Sequence, residues 1–126
     1  MDVIETRIDT NSEEYRKNYE AMEGLVADLK TELKKAREER PQKDIDRLAA
    51  QGKLPVRKKL DMLLDRNSPF LEIAPLAGRG MYDGRIHAAG LVTGIGVVEG
   101  REVLVVASDA MIKGGAVYPI GVKKNL

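Results

Sequence analysis

Residues 91–108 read LVTGIGVVEGREVLVVAS, and this segment carries the clearest structural pattern in the chain. Its first half alternates glycine with apolar and β-branched residues and its second half is an apolar run, which predicts two strands joined at Glu99-Gly100. The run from Val103 to Val106 is apolar on both faces, a pattern typical of a strand that is covered on both sides. We therefore expect a β-hairpin whose second strand needs cover from segments beyond Leu126.

Turn and loop residues surround this hairpin. Upstream, the run from Phe70 to Ile73 predicts a short strand, and four glycines among polar residues predict an irregular loop over residues 78–90. Downstream, a Lys-Gly-Gly turn precedes Pro119, which suits the start of a helix because the N–H that proline lacks is left unpaired there anyway. That helix has barely begun at Leu126, so we expect the sequence to be part of a longer chain.

A long amphipathic helix is predicted over residues 12–40. Asn11 or Ser12 suits its N-cap, and apolar residues recur along it at steps of three and four. This apolar stripe comprises Tyr15, Tyr19, Met22, Val26, Leu29, Leu33 and Ala36. We expect the stripe to dock on its own chain or on a sister subunit. A free-standing coiled coil is disfavoured, because the tyrosines and the alanine make an uneven seam.

Two shorter helices are predicted before residue 66. One covers residues 43–51 and ends at Gly52, and the next begins at Pro55 and buries one face. That face comprises Val56, Leu60, Leu63 and Leu64. Residues 1–66 hold 15 basic and 15 acidic residues but two of the 12 glycines, whereas residues 67–126 hold the other ten. We therefore expect an α+β chain with a helical region, 1–66, and a second region, 67–126, that begins a larger domain.

Composition argues against several kinds of function. The net charge of +1 argues against a nucleic-acid partner, because such proteins usually carry a strongly basic face. The sequence has no cysteine and one histidine, His87, so a metal cluster of these residues, a disulfide and a self-contained Ser-His-Asp triad are not expected. No apolar run approaches the roughly 20 residues of a membrane span. The first ten residues resemble neither a secretory signal nor a transit peptide, so we expect a cytoplasmic protein without a membrane partner.

Three blocks of sequence carry a further pattern. They are GKL, LDMLLD and SPFLE between residues 52 and 72, GIGVVEGR at 94–101, and ASDA and KGGAVYP between residues 107 and 119. In this order they resemble the N-terminal part of the carboxyltransferase (β) subunits of biotin-dependent acyl-CoA carboxylases. The third block is similar to the methylcrotonyl-CoA type, although Ser108 and Met111 replace residues that are common there.

The resemblance implies a crotonase-like fold of stacked β-β-α units, of which this chain would hold the N-terminal helices and an incomplete first unit. It also implies transfer of a carboxyl group from carboxybiotin to an acyl-CoA such as 3-methylcrotonyl-CoA through an enolate. In the family, the backbone N–H donors that stabilise the developing oxyanion come from glycine pairs further along, so no catalytic residue is expected here. Biotin would arrive on a separate α subunit, since the chain lacks a Met-Lys-Met attachment motif, and the β subunits would form a homo-oligomer.

Lys113-Gly114-Gly115 is the segment best suited to a ligand. Glycines let backbone N–H groups approach an anion, and the resemblance makes a CoA phosphate the expected partner of Lys113. The alternative is an ordinary turn with a solvated lysine. We expect Asp109 to accept backbone N–H groups of its loop. His87 is expected on the surface, and Tyr118 is expected to pack, with contact to an acyl pocket as the alternative.

Two functions from different classes follow from the sequence. The first is a part of a carboxyltransferase subunit that contributes to acyl-CoA binding and to subunit contacts, without activity of its own. The alternative is a non-catalytic helical and β-hairpin module that binds a partner through the stripe from Tyr15 to Ala36. The reading frame after Leu126 distinguishes them, because several hundred further residues with paired-glycine motifs would support the enzyme.

Overall fold

A computed structural model describes residues 4–126. Its helices are α1 (Glu13–Glu38), α2 (Gln42–Ala50), α3 (Val56–Leu63) and α4 (Pro119–Asn125), and its strands are β1 (Leu71–Ile73), β2 (Leu91–Val98) and β3 (Arg101–Ser108). Short 3₁₀ turns lie at Tyr82–Gly84, His87–Gly90 and Lys113–Gly115. Three helices therefore precede the strands and one follows them, which agrees with the predicted α+β class.

α1 begins and ends within two residues of its predicted bounds. The Ser12 hydroxyl caps it by accepting the backbone N–H of Tyr15 at 3.1 Å. Glu13 and Glu14 place negative charge at the positive end of the helix dipole. The helix ends before Pro41, because a proline disfavours the helical conformation at the residue that precedes it.

The chain divides into two compact units, the first ending at Glu32 and the second spanning Leu33–Leu126. In the first unit the stripe of α1 is exposed, by 53% at Tyr19, 58% at Met22 and 49% at Leu29. Docking of the stripe on its own protein or on a sister subunit stays a prediction. The division into regions 1–66 and 67–126 also stays a prediction, and residues 1–3 of its first region lie outside the described residues.

The two short helices start and end close to their predicted positions. Gly52 follows α2 with a φ of +65°, in the left-handed region that glycine adopts without strain. Leu48 is the buried residue of α2. Pro55 is the N-cap of α3 instead of its first helical residue, so the helix begins one position later than predicted.

The core of the second unit lies between α3 and the sheet. α3 buries Val56 and Leu60, while Leu63 is 51% exposed, so the expected burial of Leu63 is wrong. Leu64, just beyond the helix end, packs against the core instead. The cluster comprises Val56, Leu60, Val92 and Val105, with Leu64, Phe70, Val103 and Ala107 packed against it. Burial of one such aliphatic side chain stabilises the fold by about 1.5–3 kcal/mol.

The strands form one antiparallel sheet in the order β1-β2-β3. The face toward α3 carries the two glycines of β2, and neither position has room for a side chain. A Cβ on Gly94 would lie 2.5 Å from Cζ of Phe70, and a Cβ on Gly96 would lie 2.5 Å from Cδ2 of Leu64. These glycines therefore mark a close approach, as glycine inside a strand often does.

The hairpin turn is Glu99-Gly100, as predicted, and both residues have positive φ, 49° and 75°. A two-residue turn of this kind matches the twist of the flanking strands. The Asp65 carboxylate accepts the N–H groups of Glu99 and Gly100, each at 2.8 Å. Its own N–H donates to the carbonyl oxygen of Val97 at 2.9 Å. The LDMLLD block thus ends on the residue that holds the hairpin turn.

The opposite face of the sheet is largely open. Leu71 is 65% exposed, Leu104 69% and Val106 54%. The cover of β3 that is expected from segments beyond Leu126 stays a prediction, and within residues 4–126 this face is open. The reason is that α3 packs on the other face, while α4 reaches only the start of β2, where Cδ1 of Leu91 lies 3.5 Å from the position of a Cβ on Gly121. None of the helices in this part of the chain is long and apolar enough to cross a membrane.

Candidate functional site

A cleft of about 840 Å³ opens in the second unit beside the segment that follows β3. Its lining comes from residues 39–47, 82–87 and 111–118. Three residues singled out from the sequence, Lys113, Tyr118 and His87, lie in its wall. Gly114 and Gly115 belong to the adjoining turn and do not line it. The fold therefore brings together candidate residues from two segments that are far apart in the sequence.

Asp109 is the buried anchor of the loop after β3. Its Oδ1 accepts a hydrogen bond from the N–H of Met111 at 2.9 Å. Its Oδ2 accepts hydrogen bonds from Nε of Arg40 at 2.9 Å and from Nη2 of the same residue at 2.8 Å. Its backbone N–H donates to the carbonyl oxygen of Gly90 at 3.0 Å. The predicted role of Asp109 as an acceptor for its own loop is confirmed, and the structure adds a buried arginine as its ionic partner.

The Lys-Gly-Gly segment is a tight turn in left-handed conformations. The φ angle is 43° at Lys113, 69° at Gly114 and 90° at Gly115. The N–H of Gly115 donates to the carbonyl oxygen of Ile112 at 2.9 Å, and the N–H of Ala116 donates to that of Lys113 at 3.3 Å. Because the N–H of Gly115 is engaged within the turn, anion binding by this segment, which stays a prediction, depends on Lys113 and Gly114.

Tyr82 and Tyr118 form an aromatic pair in the wall of the cleft. Their ring centroids are 5.1 Å apart and their planes are inclined by 60°. Nζ of Lys113 lies 5.5 Å from the centre of the Tyr118 ring, within the range of a cation–π attraction. Pro119 follows in the first turn of α4, as predicted. Tyr118 therefore packs, as expected, and it does so at the edge of the cleft.

His87 is half-buried in the wall of the same cleft, so its expected place on the open surface is only partly right. Asp83, the acid nearest to it in sequence, pairs with Arg85, with Nη2 and Oδ2 3.4 Å apart. In the described residues no group of three or more histidines, aspartates and glutamates is arranged to hold a metal ion. The histidine thus belongs to a polar wall and not to a cluster of potential ligands.

Glu72 of β1 is held by two arginines. Its carboxylate accepts two hydrogen bonds from the guanidinium of Arg57, at 2.8 and 3.1 Å, and one from that of Arg37, at 3.2 Å. Burial raises the pKa of Glu72, but the hydrogen bonds and the positive charges of Arg57 and Arg37 outweigh burial and leave the pKa below its usual value. This contact joins the end of α1, the start of α3 and the sheet. Residues 39–47, which line one wall of the cleft, follow α1 directly, so the contact also positions that wall.

Lys124 anchors α4 to the start of β2. Its Nζ donates to the carbonyl oxygens of Ala88 at 3.0 Å and Leu91 at 2.6 Å. Burial lowers the pKa of this lysine. Since Tyr118 is the N-cap of α4, the anchor also fixes the backbone that presents this tyrosine to the cleft.

Reasoning from the sequence missed Arg40, Glu72 and Lys124. Arg40 pairs with Asp109, which lies 69 residues away, and no local sequence pattern predicts such a pair. Glu72 did leave a signal, because it is a charged residue inside the short apolar run from Phe70 to Ile73. A carboxylate at such a position needs a cationic partner when it is buried.

Comparison with known proteins identifies the family. Residues 47–126 match the family model described as "Carboxyl transferase domain", and the chain belongs to that family. A relative named "Probable methylcrotonoyl-CoA carboxylase beta chain, mitochondrial", from Drosophila melanogaster, is 44% identical over 125 residues. The match covers 98% of this chain and 22% of the relative. The resemblance inferred from the three sequence blocks is therefore confirmed.

Two solved structures share the fold. The geranyl-CoA carboxylase beta subunit of P. aeruginosa superposes with a TM-score of 0.78 at 34% identity, covering 95% of this chain and 22% of that chain. Transcarboxylase 12S, described as a hexamer, gives 0.69 at 28% identity, covering 82% and 21%. The crotonase-like fold expected from the resemblance is confirmed for this part of a carboxyltransferase. The chain spans about a fifth of the length of these proteins.

Proposed function

We propose that the chain is the N-terminal part of the carboxyltransferase subunit of a biotin-dependent acyl-CoA carboxylase of the methylcrotonyl-CoA type. The observation that carries this proposal is the family match over residues 47–126, which includes the cleft-lining turn at Lys113. In the complete protein, the subunit would move a carboxyl group from carboxybiotin to an acyl-CoA such as 3-methylcrotonyl-CoA. This part would bind the CoA portion and contribute subunit contacts.

The local chemistry supports a binding role for this part and not a catalytic one. Carboxyl transfer to an acyl-CoA passes through an enolate, which requires preorganised N–H donors at the thioester oxygen. The N–H of Gly115 is already donated to Ile112, so it is not available for that purpose. Lys113 is exposed at the cleft and suits a phosphate, whose charge is the same in substrate and transition state. The Lys113-Gly114-Gly115 turn is thus proposed as a CoA-binding element.

The partners proposed for the complete subunit follow from the family. Carboxybiotin would be a substrate, delivered on a separate biotin-carrying subunit, as the named beta chains among the relatives suggest. A homo-oligomer of carboxyltransferase subunits is supported by the hexamer described for transcarboxylase 12S. The cytoplasmic location stays a prediction, and the Drosophila relative is named as mitochondrial.

The test is a carboxylation assay on the complete subunit that contains this chain, assembled with its biotin-carrying subunit. We expect ATP- and bicarbonate-dependent carboxylation of 3-methylcrotonyl-CoA, with a higher kcat/KM than for propionyl-CoA as the control substrate. A preference for propionyl-CoA would overturn the substrate type. No carboxylation of any acyl-CoA by an assembled, biotinylated complex would overturn the proposed function.

The exposed stripe of α1 keeps a second candidate function open. Tyr19, Met22 and Leu29 present apolar surface that a partner helix or a sister subunit would cover. The proposed module would bind through this stripe without any catalytic role. Met22→Glu would then abolish the association, measured by sedimentation, whereas Glu23→Gln on the same helix would leave it intact. A wild-type protein that still sediments as a monomer when it is mixed with the other subunits would exclude this candidate.

A further inference from the structure

The 3₁₀ turn His87–Gly90, which connects the cleft wall to β2, is left-handed over three consecutive residues. The φ angles are 50° at Ala88, 58° at Ala89 and 76° at Gly90. Both alanines are buried, with 3% and 1% of their surface exposed. An alanine in the left-handed region brings its Cβ too close to the following carbonyl oxygen, so this backbone persists only where its surroundings hold it. The contacts that hold the turn are therefore of interest.

Lys124 binds two carbonyl oxygens of this segment in the way that a bound cation does. Its Nζ donates to the carbonyl oxygens of Ala88 at 3.0 Å and Leu91 at 2.6 Å. These two residues are three positions apart, so one ammonium group bridges the left-handed turn from its start to the residue that follows it. An ammonium group has three N–H donors and no acceptor, and hydrogen bonds from a charged donor are about twice as strong as those between neutral groups.

Other contacts support the turn without supplying a charge. The backbone N–H of Asp109 donates to the carbonyl oxygen of Gly90 at 3.0 Å. A Cβ on Gly121 would lie 3.0 Å from the carbonyl oxygen of Ala89, so α4 packs directly on the turn. Hydrogen bonds between neutral backbone groups contribute less to stability than hydrogen bonds to charged groups. Lys124 therefore provides the ionic part of the support.

The left-handed turn matters for the cleft because the cleft wall leads directly into it. Ile86 and His87 line the cleft, and Ile86 is 5% exposed. A change in the backbone at Ala88 would displace both side chains. The position of this part of the wall thus depends on Lys124, which lies outside the lining of the cleft.

We propose that Lys124 is a positioning residue, whose ammonium group fills a cation site at the left-handed turn and thereby holds the Ile86–His87 wall of the cleft in place. The site is formed by the carbonyl oxygens of Ala88 and Leu91. A small alkylammonium ion fills the same site when the side chain is removed, because it presents the same N–H donors. The inference rests on the proposed function only where it concerns substrate binding, since the cation site itself is a property of the fold.

The first experiment measures backbone amide hydrogen exchange in the complete subunit that contains this chain. Lys124→Met retains the length of the side chain without its charge. We expect exchange in peptides that cover residues 86–92 and 107–111 to become about ten- to hundred-fold faster, which corresponds to the loss of a hydrogen bond from a charged group. Lys123→Met is the matched control, because Lys123 is an exposed lysine of the same helix, and it should exchange like the wild type.

Chemical rescue separates the charge of Lys124 from its packing. Lys124→Ala removes both the stem and the ammonium group and leaves space for a small cation. We expect methylammonium chloride to restore slow exchange in the same two peptides, with saturation. Tetramethylammonium chloride at equal ionic strength should have no effect, because this ion has no N–H donor.

Two results of these experiments would overturn the cation site. One is wild-type exchange in a folded Lys124→Met variant, and the other is an equal effect of the two salts on Lys124→Ala. Lys124→Arg, which retains a charged donor, decides the case in which the neutral variants do not fold. Exchange close to that of the wild type would then support the site, and exchange faster than in Lys123→Met by tenfold or more would overturn it.

Carboxylation kinetics separate this inference from the proposed function. In the assembled carboxylase, Lys124→Met should raise KM for acyl-CoA several-fold and leave kcat nearly unchanged, because the displaced wall would contact bound substrate and not the reacting atoms. Methylammonium should lower the KM of Lys124→Ala. Faster exchange with an unchanged KM would overturn the positioning role. An assembled wild-type complex without carboxylation would overturn the proposed function, whereas the exchange experiments would still decide the cation site.

Discussion

Arg40 and Asp109 form a buried ion pair that joins the segment after α1 to the loop after β3. Nη2 of Arg40 lies 2.8 Å from Oδ2 of Asp109, and the two side chains are 4% and 2% exposed. The same guanidinium donates to the carbonyl oxygen of Ala36 at 3.1 Å. The pair therefore fixes the loop that leads into the Lys-Gly-Gly turn.

Removal of one member of this pair is expected to be costly. Arg40→Ala leaves the buried Asp109 carboxylate without its counter-ion and should lower the free energy of unfolding by about 3–5 kcal/mol, measured by denaturant titration. Arg85→Ala is the control, because Arg85 and Asp83 are both about 80% exposed and such pairs contribute about 0–1 kcal/mol. Equal effects of the two substitutions would contradict the role given to the buried pair.

The stability of the second unit is expected to depend on the ionisation of Glu72. The folded-state pKa of Glu72 is below its usual value, so the unfolded state takes up the proton first as the pH falls. The stabilisation is complete above the unfolded pKa, about 4.3, and is lost as the pH falls through the folded value.

Urea titrations between pH 7 and pH 3 should show a smaller loss of stability in Glu72→Gln than in the wild type. Glu23→Gln, an exposed glutamate of α1, serves as control. A Glu72→Gln variant with the wild-type pH dependence would show that another carboxylate is responsible.

Lys113→Ala in the complete subunit is expected to raise KM for acyl-CoA and to leave kcat nearly unchanged. The proposed phosphate contact is the same in substrate and transition state, so its loss weakens binding uniformly. A hydrogen bond to a charged group contributes about 1.5–3 kcal/mol, which corresponds to a ten- to hundred-fold rise in KM.

Steady-state carboxylation with varied acyl-CoA measures both constants, with Lys123→Ala as control. An unchanged KM would make Lys113 a solvated turn residue. A loss of kcat with KM intact would place Lys113 at the reacting centre.

Alanine substitutions at two glycines are expected to have opposite effects. A Cβ on Gly94 would lie 2.5 Å from the Phe70 ring and 2.6 Å from the carbonyl oxygen of Leu71, so Gly94→Ala should destabilise the protein by about 1–3 kcal/mol. Gly24, inside α1, has nothing within 4 Å of that position. Gly24→Ala should stabilise the helix by up to about 1 kcal/mol. Thermal unfolding of both variants measures these changes in stability. A Gly94→Ala variant as stable as the wild type would contradict the close packing.

The local part of the fold could be predicted because it depends on residues near one another. Ser12 as a cap, Gly52 as a helix end and Glu99-Gly100 as a turn each follow from backbone preferences over a few positions. Asp65 shows where such reasoning ends. It lies in the LDMLLD block, yet its carboxylate accepts hydrogen bonds from N–H groups 34 and 35 residues away, which no local pattern predicts.

The cleft depends on the same kind of long-range relationship. Lys113 could be singled out because lysine beside two glycines suits an anion. The two tyrosines of its wall are 36 positions apart, and neither has a neighbour in sequence that predicts the pairing. The element that covers an apolar side chain could not be predicted from the sequence either. The pattern at Leu104 correctly describes an apolar position, but a pattern does not state what lies opposite it.

The open face of the sheet has a consequence for the behaviour of this chain in solution. β3 is an edge strand in the described residues, and Leu104 and Val106 expose apolar side chains beside its unpaired backbone groups. An edge of this kind is a template on which further strands add, and this process leads to aggregation. We therefore expect the 126-residue chain to precipitate at high concentration unless a charged residue, such as lysine in place of Leu104, interrupts the apolar row.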